Sequence, residues 1–430
     1  MTWRRAGRYV AALALGVTLA GIGVPAGAAA QRPASAGMWI SKAELRRLPE
    51  RGPAWRALKA TADDKLGSAG LSDKDENHDT RVLAAALAYG RTGEERYRRK
   101  AAAGVMAAIE TEDGGRTLGL GRGLVAYVIA ADLIDLRRYD SGKDGVFRRW
   151  LGPVRFERLR PKSRPTLVAT HEVAPNNWGT MAGASRIAAD IYLGDRSDLA
   201  RAAAVFKGYL GDRSAYSGFR YGEDSSWQVD PEAPVGVLPA GAVKDGRRIG
   251  GALPDDMRRG CELRFPPCPT GYPWEALQGA VVQAELLSRQ GYDAWNWGGR
   301  ALRRAAAFLY ALDRRDPGEG WAATGNDAWV AWLLNRRYGT RFRAPTPTQP
   351  GRGMGYTDWT HGPGSRCAAR DCTTPRGRPR GVVPVSGGPL GMDRARSSGG
   401  DSPLDAPALR PLAVAGLIAI IGALVLRALR

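Results

Sequence analysis

From about Met38 to Ala344 the apolar positions recur at helical spacing, and no stretch alternates apolar with polar long enough to predict a sheet. Three segments share one pattern: an apolar helix, a turn containing glycine, then a helix that opens with charge and continues through alanines. They are LAAALAYGRTGEERYRRKAAAG from Leu83, ADIYLGDRSDLARAAAVF from Ala189 and AELLSRQGYDAWNWGGRALRRAAAFL from Ala284. Each predicts an antiparallel helical hairpin, with Gly90, Gly194 and Gly291 at the turns, where a helix C-terminus favours glycine. The gaps between these glycines each leave room for one further hairpin. The expected fold is all-α, with stacked hairpins forming a solenoid or a closed (α/α) toroid.

The segment from Tyr216 to Tyr272 breaks the pattern. It is rich in Gly, Pro, Asp and Trp, and a loop this long inside a helical domain is usually functional. After Ala344 comes TPTQPGRGMGYTDWTHGPG and then an Arg/Gly/Pro/Ser stretch with the composition of a flexible stalk. Asp358–His361 is too aromatic for a linker and is expected to fold back on the domain. The ends carry their own signals. Arg4, Arg5 and Arg8 precede an apolar run and a small-residue cleavage pattern ending at Ala30, which predicts a secretory signal peptide. Residues 411–426 are apolar and would span about 23 Å as a helix, short of a ~30 Å membrane core, with Arg410 and Arg427 able to snorkel. The expected organisation is a signal peptide over 1–30, a helical domain over 31–345, a stalk over 346–407 and a membrane anchor over 408–430. That organisation places the domain outside the membrane, at the cell surface or on the periplasmic side.

At 430 residues, 44% hydrophobic and 25% charged, the chain can bury a large core. Its net charge of +20 suggests a polyanionic partner, although the basic residues are dispersed and form no nucleic-acid motif. The four cysteines form two local pairs, Cys261 with Cys268 and Cys367 with Cys372. Neither spacing is that of a zinc site, and no histidine cluster accompanies them, so two small disulfide loops are expected and no metal. Phosphate loops and serine-nucleophile motifs are absent, and no cofactor is expected.

Three stretches carry candidate chemistry: APNNWG at residues 174–179, GALPDDMRRG at 251–260 and GYPWEALQG at 271–279. In this order, on a chain of helical hairpins, they resemble the alginate lyase family, whose catalytic domain is an incomplete toroid of such hairpins. The resemblance covers roughly residues 38–344, including the opening WISKAELRRLPERGPAWRALKATAD. It implies that Asn177 and Arg259 are catalytic, neutralising a substrate carboxylate, and that Tyr272 is the catalytic base and acid. Asn176, Trp178, Arg258 and Trp274 would help bind substrate. Two departures stand out. Trp178 occupies the position of a family histidine, and CELRFPPCPTG lengthens the segment between Arg259 and Tyr272, where Cys261 and Cys268 could staple it. Closing so short a loop restricts the unfolded chain by roughly 2.5 kcal/mol.

The implied reaction is β-elimination from a uronate. A base removes the proton beside the carboxylate, and an acid protonates the departing glycosidic oxygen. An amide and a guanidinium on the carboxylate disperse the developing charge. Free tyrosine titrates near ~10, so Tyr272 needs cations nearby, and Arg258, Arg259 and Arg264 are close in sequence. Among the three histidines, His171 is the nearest substitute for the missing one; His78 opens a predicted helix, and His361 ends the DWTH stretch.

Plainer readings stand beside each of these. Asn176 or Asn177 is also a good helix cap, Arg259 a good solvated charge, and Tyr272 a good residue to staple a helix start. Trp178, Trp227, Trp274, Trp295 and Trp297 could stack on sugars, but thirteen tryptophans must mostly lie in the core. Taken together, the sequence predicts a polysaccharide lyase acting as a monomer on an acidic polysaccharide. The alternatives are an inactive acidic-polysaccharide-binding relative, and a hydrolase using two of Glu223, Asp224, Asp230, Asp255 and Asp256.

Overall fold

The computed structural model describes residues 37–159 and 166–363. The expected signal peptide, the 411–426 span, most of the stalk and the Cys367–Cys372 pair lie outside them. No helix among the described residues is long and apolar enough to cross a membrane.

The described chain is mostly helical, with almost no strand. It enters through α1 (Lys42–Arg47) and α2 (Pro53–Asp63), then forms a hairpin of α3 (His78–Thr92) and α4 (Glu95–Ala107). A second pair follows, α5 (Thr117–Leu133), the short α6 (Leu136–Tyr139) and α7 (Ser141–Val154). Next come α8 (Leu167–Val173) and the hairpin of α9 (Asn177–Leu193) with α10 (Arg196–Tyr209). A long irregular region holds only β1 (Val243–Lys244), its antiparallel partner β2 (Arg247–Arg248), and α11 (Pro254–Met257). The chain then forms α12 (Tyr272–Arg289), α13 (Trp297–Arg315), α14 (Val330–Tyr338) and α15 (Thr357–Thr360).

Four helices form an inner row in which α5 packs between α3 and α9, and α9 packs between α5 and α12. Their sequences explain the placement. In α5 only Asp132 escapes full burial, the signature of a helix surrounded by protein. Helices α4, α7, α10 and α13 return beside them with one buried face each; in α13 that face includes Ala301, Ala305, Leu309 and Leu312. Glycine lets the inner row close up. A Cβ on Gly279 of α12 would stand 2.3 Å from the Thr180 carbonyl carbon of α9, and one on Gly121 of α5 would stand 3.1 Å from the Ala182 nitrogen. These contacts sit in the first turns of three inner helices, and Gly123 of α5 faces Asp79 of α3 in the same layer. The four inner N-termini therefore meet at one end of the domain.

Three local expectations change. Gly90 does not turn the chain: α3 runs on to Thr92 and ends at Gly93, whose φ of 73° is left-handed. Gly90 instead admits α1, since a Cβ there would lie 2.6 Å from Leu45 Cδ1. No extra hairpin lies between Gly194 and Gly291, because the glycines and prolines after Tyr216 leave no helical repeat to form one. The domain also continues past residue 345. Met354, Tyr356 and Trp359 are buried, and the Trp359 ring packs 5.1 Å from that of Trp55, so the DWTH stretch does fold back.

Candidate active site

The two asparagines at the start of α9 divide the readings between them. Asn176 is the N-cap: its side-chain oxygen accepts from the Trp178 backbone N–H at 3.1 Å. Its Nδ2 donates to Asp255 Oδ2 at 2.6 Å, tying the helix start to α11. Asn177 is the first helical residue and is 1% exposed. Its Oδ1 accepts from Arg259 Nη1 at 2.7 Å, and its Nδ2 donates to Glu275 Oε2 at 2.6 Å. Asn177 therefore does hold a carboxylate in this structure, and that carboxylate belongs to Glu275.

Arg259 is placed by α11, which ends two residues before it, and its guanidinium carbon lies 3.2 Å from the centroid of the Tyr272 ring. Tyr272 begins α12 and is partly exposed. Residues from three distant segments, Asn177, Arg259 and Tyr272, thus form one contiguous cluster. The disulfide Cys261–Cys268 closes the loop between Arg259 and Tyr272, with a Cα separation of 5.7 Å. That loop is docked on the preceding irregular region, where Trp227 Nε1 donates to the Cys261 carbonyl at 3.0 Å and Leu263 N to Ser226 Oγ at 2.9 Å.

Three residues that the sequence reading missed complete the cluster. Glu275, one turn into α12, accepts from Arg122 Nη2 at 2.7 Å and lies 3.7 Å from Arg352 Nη1. Arg352 also pairs with Asp75 at 3.0 Å, and Lys74 pairs with the same aspartate. Arg259 also lies 3.8 Å from Asp256 Oδ1, so Lys74, Arg122, Arg259 and Arg352 share the acids Asp75, Asp256 and Glu275. Burial, and then neighbouring Asp255, push the Asp256 carboxyl well above the usual range. The cluster thus gathers four basic side chains near the N-terminal ends of the inner helices. Arg122 carried a usable signal, a lone charge between glycines in the apolar run GLGRGLV. Glu275 looked like an ordinary first-turn acid, and Arg352 fell in the expected stalk.

Other expected site residues lie elsewhere. His171 is 3% exposed, packed under α9 against Gly183, with Arg186 Nη1 3.4 Å from its Nδ1. Burial, and then the Arg186 charge, hold its imidazole neutral, well below the usual histidine range. It does not join the cluster. His78 is buried on the Tyr127 hydroxyl at 2.7 Å, and His361 against Trp39. Trp274 is not available to a sugar: it is 1% exposed and its indole donates to the Trp321 carbonyl at 3.0 Å. Trp227 and Trp295 are also buried, and Trp297 packs on Phe206 and Tyr292. Trp178 stays half-buried beside Asn177. Arg258 turns away to Asp255 at 2.8 Å and covers Gly222.

The carboxylates of the hydrolase alternative are largely committed. Asp255 accepts from Asn176, Gly222 and Arg258, and Asp224 and Asp230 close backbone turns at Ser226 and Glu232. Glu223 is exposed. Among the described residues, one acidic trio is close enough to hold a cation, Asp190, Asp195 and Asp198. Arg155 pairs with all three and Arg186 with Asp198, so the trio is neutralised from within. No protein-family model matches the chain, and no curated protein matches its sequence.

Proposed function

We propose that this protein is an exported, membrane-tethered lyase that cleaves a uronate-containing polysaccharide by β-elimination, on an (α/α) toroid similar to that of the alginate lyase family. One observation carries the reading: Arg259 is held by Asn177 Oδ1 at 2.7 Å and lies on the Tyr272 ring, although the three residues come from separate segments. The parallel inner row flanked by returning helices is the arrangement that such a toroid requires.

The chemistry follows from the parts. The uronate carboxylate approaches the exposed edges of Arg259 and Arg352, which disperse the charge that builds as the neighbouring carbon loses its proton. Tyr272 takes that proton. The electron pair left behind forms the new carbon–carbon double bond, the glycosidic carbon–oxygen bond breaks, and Tyr272 returns the proton it took to the departing oxygen. No oxidant, metal or water enters the balance. Asn177, being buried, acts as a positioning residue that orients Arg259. The substrate carboxylate competes with Glu275 for the surrounding cations.

The test follows ultraviolet absorbance from unsaturated uronate ends on several acidic polysaccharides. Turnover should fall about a thousandfold in Tyr272→Phe with polymer affinity retained. No absorbance with any uronate polymer would overturn the reading. A non-catalytic binding protein is the second reading, favoured by Trp178 and by the burial of His171, which leave no histidine in the cluster. It requires measurable affinity, lost in Arg259→Ala, without turnover.

A further inference from the structure

A groove of about 650 Å³ opens beside the cluster and shares Arg352 with it. One wall comes from the end of α2, the next from the approach to α3, and the third from Asn326 and the segment Gln349–Arg352. That last segment belongs to the stretch expected to be stalk. The volume is in the range of small-ligand sites and accommodates several sugar rings.

The lining differs in chemistry from the cluster. Its two cations are each paired: Arg81 Nη1 with Asp64 at 3.0 Å, and Arg352 Nη2 with Asp75 at 3.0 Å, which leaves Glu76 as the third acid of the lining. Glu76 is turned inward, accepting from the His78 backbone N–H at 2.6 Å and from the Tyr127 hydroxyl at 3.2 Å. The Thr61 and Thr80 hydroxyls of the lining donate to the Ala57 and Asn77 carbonyls, and the other uncharged polar side chains there are amides. Asn77, Asn326 and Gln349 are exposed there. Asn77 sits at the N-cap of α3 yet makes no side-chain cap bond, so a residue type suited to capping has been left to the groove. Amides pair with sugar hydroxyls through both donor and acceptor atoms. Beyond Arg352 at the edge shared with the cluster, a uronate carboxylate would find only Arg81, already paired with Asp64, and it would face the acids Asp64 and Glu76.

Resting on the reading of the cluster as a lyase site, we infer that this groove binds uncharged, hydroxyl-rich sugar units. The polymer taken is then one whose uronates are flanked by neutral sugars, and not an unbroken run of uronate. Carboxylate recognition is concentrated at Arg259 and Arg352, and the groove reads what lies next to it.

The experiment uses the full chain and two series of hexasaccharides: uronate alone, and uronate alternating with an uncharged hexose. Each series is made with glucuronate and with mannuronate. The alternating series should show kcat/KM at least about tenfold higher, and the double variant Asn77→Ala/Gln349→Ala should abolish that preference by raising KM, with the loss falling on KM and not on kcat. A uronate-only series that is cleaved equally well or better, or a double variant that keeps the preference, overturns the inference while leaving the lyase reading intact. If neither series is cleaved, the lyase reading fails, and calorimetric titration of the same sugars decides the groove. Tighter binding of the alternating series that weakens about tenfold in the double variant supports the groove assignment. Equal binding, or none, overturns it.

Discussion

At the scale of the residue, the adjacent asparagines show how one dipeptide serves two purposes. Asn176 caps α9 and restrains Asp255, whereas Asn177 bridges Arg259 and Glu275. Asn176→Ala should therefore cost about 1–2 kcal/mol of stability in urea denaturation and leave most of the turnover. Asn177→Ala should lower kcat about a hundredfold at unchanged helical content, since Arg259 loses the acceptor that aims it. Equal kinetic effects of the two substitutions would sink this division of labour. Both asparagines are legible because they sit at a recognisable helix start, and Arg259 and Tyr272 are legible through the resemblance of their stretches to the alginate lyase family. The sequence could not expose Glu275, because an acid in the first turn of a helix is favourable whether or not anything else binds it. Nor did it separate Trp178 from Trp274. Two tryptophans that each stand in the first turn of a helix look alike until α12 turns Trp274 into the core against Tyr310.

Between elements, the inner row was legible and its termination points were not. The apolar runs of α5, α9 and α12 announce buried helices, but Gly90 and Gly93 offer equally good turns in GRTG, and only contact with α1 decides between them. A second junction gives a pH prediction. Gln278 of α12 donates to Asp327, in the 3-10 turn Gly325–Asp327 beside the groove, and burial raises that carboxyl to about 6. In the unfolded chain it titrates near ~3.8, so between these values the folded state binds the extra proton. Stability should accordingly be greatest below about pH 4 for this group and fall by about 2–3 kcal/mol as the pH rises towards 6. Asp327→Asn should remove that slope from denaturation midpoints measured across the window, because the amide keeps a neutral partner for Gln278. A slope of the same size in the variant would assign it to other groups.

For the whole molecule, the segment after residue 345 decides where the fold ends. Local pattern marks TPTQPGRGMG as loop, and it is loop; what the pattern cannot report is what the loop touches. The contacts that fix this segment reach far back along the chain. The Tyr356 hydroxyl donates to the Thr80 carbonyl across 276 residues, and Trp359 Nε1 to the Pro49 carbonyl across 310. The Thr357 hydroxyl holds the Trp329 carbonyl at 2.5 Å, next to α14, and His361 packs on Trp39. The segment therefore straps the last long helices to the first ones, and on its way it delivers Arg352 to Glu275 and the groove. Removing it would uncover Trp39 and Trp55 and delete two buried aromatic side chains, each a loss of about 3–5 kcal/mol when truncated in a core. Against a typical total stability of about 5–15 kcal/mol, that loss is decisive. A chain ending at residue 363 should melt in one cooperative transition by circular dichroism. One ending at 345, where composition alone would cut, should show a transition lowered by more than about 10 °C or no cooperative transition at all. Equal melting temperatures would mean that the strap is a passenger on a domain complete without it, and Arg352 would then lose its claim to a fixed place in the site.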